Sequence, residues 1–178
     1  MAIMDNKSNF KLLYSRQQID ITVKKLAEEI ARDLQYQNPL VLGILKGSFL
    51  FMADLVRALD FPLQIEFVRL SSYGDSMESS GQVKMVQGID FLVENRDILV
   101  IEDIVDTGFS VSFLLDYLRE KNPASVRLCA LIDKPSRREV KIDIDYTGLS
   151  APDKFLIGYG LDWDEKYRNL PDIYTVEE

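Results

Sequence analysis

The stretch of sequence that decides the fold runs from residue 98 to residue 110 and reads Ile-Leu-Val-Ile-Glu-Asp-Ile-Val-Asp-Thr-Gly-Phe-Ser. Its first four residues are apolar, which is typical of a strand buried on both faces of a parallel sheet. Over residues 111–118, apolar residues recur at helical spacing. The glycine-hydroxyl turn between the two patterns is therefore predicted to lie where a buried strand ends and a helix begins.

Such a turn is a favourable place for a phosphate group, because the first amides of a helix lack intrahelical acceptors and bind anions. Gly108 lets the backbone approach an anion closely, while Thr107 and Ser110 add hydroxyl donors. Glu102 and Asp103 can hold either two vicinal ribose hydroxyls or a hard metal ion. The whole pattern predicts a ribose phosphate across this turn; the alternative is a capped helix beside a solvated acidic patch.

The composition bounds the class of protein. The chain has 178 residues, of which 47% are hydrophobic and 28% charged, as expected for one domain spanning residues 1–178. A net charge of -8 argues against a nucleic-acid or anionic membrane surface, which needs a basic face. The absence of histidine removes serine-histidine and cysteine-histidine catalysis, and the single Cys129 excludes an intrachain disulfide. Without a signal-peptide pattern in residues 1–10 or a long apolar stretch, a cytoplasmic location is expected.

The rest of the chain alternates between strand and helix patterns. Ser15 and Gln18 form a capping-box pattern before a long amphipathic helix, and Ser48 is predicted to cap the next helix. Further strands are predicted over residues 40–45, 64–70, 83–87, 126–132 and 155–159, and a helix over 49–59. This alternation predicts an α/β fold with a mostly parallel sheet, whose ligands lie outside the carboxyl ends of the strands. The polar, glycine-rich loop 71–81 is either a mobile lid or a disordered spacer.

A ribose 5-phosphate that carries pyrophosphate at C1 needs further positive charge. Lys46-Gly47, after an early strand, and Arg168, near the end of the chain, are candidates for the pyrophosphate. Mg²⁺ prefers one or two carboxylates plus substrate oxygens. Glu102, Asp103 and Asp162 could provide those carboxylates without any histidine.

Three further side chains suit an attacking base. Asp106, at the mouth of the turn, is placed to accept a proton from the group that attacks C1, although alone it resembles a helix cap. Phe155 offers a stacking face and Lys134 can donate to a carbonyl oxygen, although singly they resemble a core residue and a solvated strand end. A lysine aimed at position 6 of a purine would accept a 6-oxo base and reject adenine.

Five motifs together resemble one family. They are Leu-Lys-Gly at 45–47, Arg-Leu-Ser-Ser-Tyr at 69–73, Val-Ile-Glu-Asp-Ile-Val-Asp-Thr-Gly at 100–108, Leu-Ile-Asp-Lys-Pro at 131–135 and Pro-Asp-Lys-Phe-Leu-Ile-Gly-Tyr-Gly-Leu-Asp at 152–162. In order and spacing they resemble the hypoxanthine (guanine) phosphoribosyltransferases of the bacterial type, over residues 11–174. The third motif is shared by many phosphoribosyltransferases, whereas the last two narrow the match to the 6-oxopurine branch.

The resemblance implies roles for the candidate residues at the base and the ribose. Asp106 accepts the proton from N7, Lys134 reads O6 and Phe155 stacks on the purine. The backbone around Leu156 and Asp162 reads the far edge of the purine. Glu102 and Asp103 serve the ribose hydroxyls and Mg²⁺.

It also implies how the charged groups are bound. The 5-phosphate binds to residues Asp106, Thr107, Gly108, Phe109 and Ser110, the pyrophosphate binds to Lys46, Gly47 and Arg168, and Ser72 and Tyr73 lie on a loop that closes over the reaction. Phe109 stands where some family members carry lysine, so only a backbone contact to phosphate is expected there.

The sequence therefore predicts a type I phosphoribosyltransferase fold, a central mostly parallel sheet flanked by helices with a small hood and a mobile loop. The resemblance implies that phosphoribosyl pyrophosphate and hypoxanthine or guanine give IMP or GMP plus pyrophosphate, in a homodimer or homotetramer. A regulatory RNA-binding protein on the same fold and a xanthine-preferring transferase stay open as alternatives. A response-regulator receiver domain fits poorly, because only one helix and one strand separate Asp103 from Lys134.

Overall fold

The computed structural model describes residues 9–72, 83–87, 89 and 91–177. These residues contain three α-helices and nine strands, and the strands form two sheets. In chain order the elements are β1 (Phe10–Tyr14), α1 (Arg16–Leu34), β2 (Leu40–Leu45), α2 (Phe49–Ala58), β3 (Gln64–Ser72), β4 (Val83–Gln87), β5 (Asp97–Val105), α3 (Phe109–Arg119), β6 (Ser125–Asp133), β7 (Tyr146–Ser150), β8 (Leu156–Ile157) and β9 (Ile173–Val176). None of the helices in these ranges is long and apolar enough to cross a membrane.

The larger sheet has the strand order β4-β3-β2-β5-β6-β7. The five strands β3, β2, β5, β6 and β7 are parallel to one another, and β4 pairs with β3 in the antiparallel direction at one edge. The prediction of a central, mostly parallel sheet is therefore confirmed. Because parallel strands end at the same edge, the residues that follow β2, β5 and β6 are brought together there.

Strand β5 lies at the centre of this sheet and is buried on both faces. Its alternate residues enter two separate cores: Leu99 and Ile101 pack into the one that contains α1 and α2, and Ile98 and Val100 into the one that contains α3. The alternation follows from the two-residue period of a strand. The apolar run at the start of the deciding stretch is thus explained by burial on both sides.

The second sheet is a small antiparallel hood with the order β1-β9-β8. A final strand was predicted over 155–159, and this prediction is wrong in its length, because β8 covers only Leu156–Ile157. The chain leaves the strand at once since Gly158, Tyr159 and Gly160 all have positive φ, with values of 96°, 48° and 100°. The hood closes over the carboxyl edge of the larger sheet through these residues.

The two predicted helix caps behave differently. Ser15 forms the full capping box with Gln18, as predicted. Ser48 occupies the N-cap position of α2, but its side chain makes no cap hydrogen bond and its hydroxyl donates instead to the Ile44 carbonyl, at 2.6 Å. The prediction of Ser48 as a side-chain cap is therefore wrong, because this buried hydroxyl satisfies the end of β2 rather than the start of α2.

Candidate active site

Strand β5 continues beyond the apolar run and carries the acidic pair within it. The parallel pairing with β6 extends through Ile104–Ile132 and Val105–Asp133, so Glu102 and Asp103 are strand residues rather than turn residues. Because successive strand side chains point to opposite faces, the two carboxylates enter different depressions. Both are buried, with 8% of each residue exposed.

Two depressions adjoin each other at the carboxyl edge of the sheet. The smaller has a volume of about 90 Å³ and is lined by Glu102, Ile104, Val105, Asp106, Thr107, Gly108, Ser110 and Val111. The larger has a volume of about 330 Å³ and is lined by Lys46, Gly47, Asp103, Ile104, Asp106, Lys134, Phe155, Leu156, Leu161, Asp162 and Arg168. Asp106 and Ile104 line both. Most of the candidate residues are thus brought to one place, although they come from four separate parts of the chain.

The smaller depression is formed by the turn between β5 and α3. Gly108 is the N-cap residue of α3, with φ of 96°, and a Cβ atom there would lie 2.7 Å from Ile142 Cδ1. The amide of Ser112 donates to the Gly108 carbonyl at 2.9 Å, so helical bonding begins there and the amides before it have no intrahelical acceptor. Phe109, the first residue of α3, is half-buried and adds an amide at the mouth of this turn.

Asp106 stands on the rim between the two depressions. Its Oδ1 accepts a hydrogen bond from Arg137 Nε at 3.1 Å, and the same guanidinium lies 3.5 Å from Asp153. Arg138 donates from Nε to the Asp106 carbonyl at 3.2 Å and also pairs with Asp133. Neither arginine was recognised from the sequence, although two adjacent bases shortly after the Lys-Pro dipeptide are a signal of partners for nearby carboxylates.

Lys134 is the most buried base of the larger cavity, with 6% of the residue exposed. Its Nζ donates to the Lys154 carbonyl at 2.7 Å. Burial lowers the pKa of Lys134, while the carboxylates of Asp106 and Asp153 oppose that effect. An ammonium has three donors, so those not held by Lys154 can meet an acceptor that enters the cavity.

Phe155 is an exposed ring rather than a core residue, with 53% of the residue accessible. Trp163 lies edge-on to it, with ring centroids 6.5 Å apart and an interplanar angle of 61°. Leu156, the next residue, is buried in β8. The cavity therefore has one aromatic wall that is free to stack on a planar ligand.

Two cations of the larger cavity, Lys46 and Arg168, are paired with carboxylates. Lys46 Nζ lies 2.7 Å from Glu165 Oε2, and Arg168 Nη2 lies 2.8 Å from Asp162 Oδ1 and 3.4 Å from Glu165 Oε2. Glu165 was not recognised from the sequence, because its partner Lys46 lies 119 residues away along the chain. The Leu45–Lys46 peptide bond, directly before Gly47, is cis.

Backbones meet directly beside these cations. A Cβ atom at Gly47 would lie 1.8 Å from Asp103 Oδ2, and one at Gly160 would lie 2.0 Å from the Gly47 carbonyl oxygen. No side chain larger than hydrogen fits at either position unless its neighbours move. The two glycines thus set the distance between the hood and the carboxyl edge of the sheet.

The buried carboxylates are held at a cost. The pKa of Asp103 is raised to about 6, mainly by burial and to a smaller extent by Asp162, while the backbone amides of Ile104 and Asp103 and the charge of Arg168 oppose the rise. Burial and the neighbouring Asp103 raise the pKa of Glu102 well above its usual range, and Glu102 Oε2 has no hydrogen-bond partner among the described residues. The carboxylates of Glu102 and Asp103 can therefore accept a hydrogen bond from a hydroxyl group or bind a cation.

Two predicted site residues fall at or beyond the limit of description. Ser72 ends β3, and nothing further is described for its side chain. Tyr73 and most of the predicted lid at 71–81 lie outside the described residues, so the lid stays a prediction.

The chain is similar to known proteins over nearly its whole length. A family model described as a phosphoribosyl transferase domain matches residues 11–164. The hypoxanthine-guanine phosphoribosyltransferase of Aquifex aeolicus is 46% identical over 169 residues, covering 94% of this chain and 95% of that protein. Its Bacillus subtilis counterpart is 45% identical, covering 94% and 93%. A crystal structure of hypoxanthine phosphoribosyltransferase from Staphylococcus aureus matches with a TM-score of 0.92 at 36% identity, covering 99% of this chain and 97% of that one.

Proposed function

This chain belongs to the phosphoribosyl transferase domain family, and we propose that it acts in purine salvage as a hypoxanthine-guanine phosphoribosyltransferase. It transfers the 5-phosphoribosyl group from phosphoribosyl pyrophosphate to a 6-oxopurine. The products are IMP from hypoxanthine or GMP from guanine, together with pyrophosphate.

The main support for this function is the set of side chains that line the larger cavity. One cavity at the carboxyl edge of the sheet is lined by a rim carboxylate, a buried lysine, an exposed aromatic ring and two further cations, namely Asp106, Lys134, Phe155, Lys46 and Arg168. The smaller depression, which is formed by the turn between β5 and α3, adjoins this cavity. These groups match the separate demands of a purine, a ribose phosphate and a diphosphate.

The 5-phosphate is proposed to bind in the smaller depression. The free amides at the start of α3 point into a region that favours negative charge, and Thr107 and Ser110 supply hydroxyl donors. The backbone can come close because Gly108 has no side chain. Anchored there, the ribose extends past Asp106 toward the larger cavity.

The purine is proposed to stack on Phe155 with its O6 toward Lys134. Base–aromatic stacking is worth about 1 to 3 kcal/mol. The Lys134 ammonium is buried and already faces an acceptor, the Lys154 carbonyl, so a second carbonyl oxygen completes its bonding. An amino group at position 6 would instead place donor against donor, which disfavours adenine. Leu156 and Asp162 border the far edge of the base.

The proton transfer is assigned to Asp106. As N9 of the purine attacks C1 of the ribose, the bond from C1 to the pyrophosphate oxygen breaks, and the proton on N7 passes to the Asp106 carboxylate. A general base of this kind is typically worth about 100-fold to 10,000-fold. Arg137, at 3.1 Å, fixes the carboxylate on the rim where it meets the base. Lys46, Gly47 and Arg168 receive the departing pyrophosphate.

The two buried carboxylates, in adjoining depressions, offer oxygen ligands of the kind that Mg²⁺ prefers. Mg²⁺ takes one or two protein carboxylates and completes its coordination with substrate oxygens and water. No cluster of three or more metal-ligating side chains occurs in the described part of the chain. Glu102 Oε2 is buried without a partner there, and Asp103 is buried against Gly47. Glu102 and Asp103 would therefore hold the ion and the ribose hydroxyls. When bound, the ion supplies positive charge to the leaving pyrophosphate.

Three wider features complete the proposal. The net charge of -8 favours a small-molecule substrate over nucleic acid, and the lack of any cysteine pair suits a reducing cytoplasm. A homodimer or homotetramer is proposed from the family resemblance. Sedimentation analysis and a gel-shift assay at physiological salt measure the oligomeric state and any RNA binding.

A spectrophotometric assay tests the proposed function directly. Purified protein is supplied with phosphoribosyl pyrophosphate, Mg²⁺ and, in turn, hypoxanthine, guanine, xanthine or adenine. We expect nucleotide from hypoxanthine and guanine, little from xanthine and none from adenine. Rapid turnover of xanthine alone would shift the assignment to the xanthine-preferring class, and no nucleotide from any base would refute it.

A further inference from the structure

The residues after Asp162 form a tight turn with an unusual sequence. Trp163 and Lys166 exchange two backbone hydrogen bonds of 3.1 Å, and both central residues have positive φ, 52° at Asp164 and 61° at Glu165. This pattern of φ angles belongs to the type I′ turn, in which Asn-Gly and Asp-Gly are strongly preferred. Glutamate at the second central position goes against that preference. A residue that breaks a local rule in this way points to a role outside the turn.

The side chain of Glu165 leads to that role. Its Oε2 bridges two cations, lying 2.7 Å from Lys46 Nζ and 3.4 Å from Arg168 Nη2. The turn aims the carboxylate, because the Glu165 amide donates to Asp162 Oδ2 at 2.8 Å. Asp162 in turn pairs with Arg168 through its other oxygen, at 2.8 Å. Glu165 therefore faces the same two cations that are assigned to pyrophosphate.

We propose that Glu165 is a resident counterion of the pyrophosphate subsite, which binds Lys46 and Arg168 when no diphosphate is present and is displaced when one enters. This inference rests on the proposed function, because it requires that these cations bind the diphosphate group. Two anions that compete for the same cations weaken each other. Glu165 thus lowers the affinity for phosphoribosyl pyrophosphate and for product pyrophosphate, and speeds the release of the product.

The exposure of the three side chains suits an exchangeable pair rather than a structural one. The side chains of Glu165 and Lys46 are 64% and 44% exposed, and ion pairs at that exposure open readily and add little to stability. Arg168 is more enclosed, at 20%, and its Nε lacks a partner among the described residues. The guanidinium of Arg168 is therefore held in position and keeps one unpaired N–H group among the described contacts, whereas the exposed carboxylate of Glu165 can move away into solvent.

Glu165→Gln tests the proposal, with Asp164→Asn as the matched control. Asp164 lies one residue away and, among the contacts described, pairs with Lys166 at 3.0 Å and with neither Lys46 nor Arg168. Each variant removes one negative charge from the same turn. We expect Glu165→Gln to lower the inhibition constant of magnesium pyrophosphate and the KM for phosphoribosyl pyrophosphate by about three- to fivefold. The KM for hypoxanthine should stay unchanged, and Asp164→Asn should match the wild type in all three constants.

The outcomes separate the two levels of inference. If Glu165→Gln and Asp164→Asn shift the constants equally, or if Glu165→Gln weakens pyrophosphate binding, the counterion role is refuted while the enzyme assignment stands. If the wild type forms no IMP and calorimetry detects no binding of magnesium pyrophosphate, the proposed function itself fails. Glu165→Asp, which keeps the charge on a shorter side chain, should restore values close to the wild type, and added salt should reduce the difference between Glu165→Gln and the wild type.

Discussion

Two regions face each other across the larger cavity and are built on different principles. The turn region, residues 102–110, continues a central strand that is paired on both sides and leads directly into α3. The closing segment, residues 155–168, contains a strand of only two residues. Its positive φ angles fall at Gly158, Tyr159, Gly160, Asp164, Glu165 and Tyr167, whereas the turn region has one, at Gly108.

The closing segment keeps this conformation because tertiary contacts hold it. A non-glycine residue in the left-handed region costs roughly 1 kcal/mol. Tyr159 is tied to α2 by a 2.6 Å hydrogen bond from its hydroxyl to Asp54 Oδ2. Gly160 and Arg168 exchange hydrogen bonds of 2.9 and 2.8 Å. The contrast indicates two separate roles. The proposed proton acceptor, Asp106, follows a central strand, whereas the proposed contacts to the purine and the departing pyrophosphate include residues of a loop that is held by tertiary contacts.

Asp106→Asn gives the sharpest test of this separation of roles. The variant keeps the shape of the turn but loses the proton acceptor, so kcat should fall at least about 100-fold, with both KM values nearly unchanged. Asp153→Asn is the control, because Asp153 shares Arg137 with Asp106 from the other side. Steady-state kinetics measures both variants. A loss below tenfold in Asp106→Asn would show that another group takes the proton.

Asp103→Asn should separate stability from activity within the turn region. The folded protein holds the proton of Asp103 more tightly than the unfolded chain, so its stability falls as pH rises from about 4 to about 6. Removal of this buried charge should raise the free energy of unfolding at pH 7 by roughly 2 to 3 kcal/mol relative to the wild type. Below pH 4, where Asp103 is protonated in both states, the variant and the wild type should be equally stable. Thermal unfolding in metal-free buffer at the two pH values measures this effect. We expect nucleotide formation to be lost, and equal melting temperatures at pH 7 would contradict the prediction.

Lys134→Gln tests whether Lys134, which follows β6 and lies across the cavity from the closing segment, sets the choice between purine bases. Loss of a charged donor to O6 should cost about 2 kcal/mol, or roughly 30-fold in kcat/KM with hypoxanthine. An amide can both donate and accept, so the preference for hypoxanthine over adenine should narrow. The ratio of kcat/KM for the two bases is the decisive measurement. An unchanged ratio would remove Lys134 as the reader of position 6.

Phe155→Ala examines the closing segment, with a smaller expected effect. Loss of the stacking face should weaken the binding of hypoxanthine and guanine equally, by about 1.5 kcal/mol, which corresponds to a roughly tenfold higher KM for each base. The KM for phosphoribosyl pyrophosphate serves as the internal control and should not change. A loss confined to one purine would mean that the ring recognises substituents rather than the face of the base.

The turn region could be predicted from sequence because its signals are local. An apolar run, an acidic pair and a glycine at the helix start lie within one short stretch, and the structure keeps their order. The end of the strand was misplaced, since Ile104 and Val105 pair with β6 and carry β5 past the acidic pair. That pairing is long-range, and it puts Glu102 and Asp103 on opposite faces.

The closing segment and the hood could be predicted only in part, because distant contacts set them. Strand β1 is stabilised by β9, with Phe10 opposite Val176, and neither strand was predicted. Strand β7 was also missed, since its Tyr-Thr-Gly-Leu-Ser sequence carries a weak strand signal. The pairing of Glu165 with Lys46 has no local signal at all. Phe155 and Arg168 were proposed from their chemistry, as a stacking ring and a base, and the family resemblance then implied their roles at the purine and the pyrophosphate.

Trp163 gives the molecule an internal spectroscopic probe. It is the single tryptophan of the chain, it is 40% exposed, and its ring meets that of Phe155 at 6.5 Å. Its fluorescence therefore arises from one known position, at the edge of the aromatic wall proposed for the purine. A base that stacks on Phe155 changes the solvent around this indole, so emission recorded during a titration follows occupancy without label, coupled enzyme or turnover.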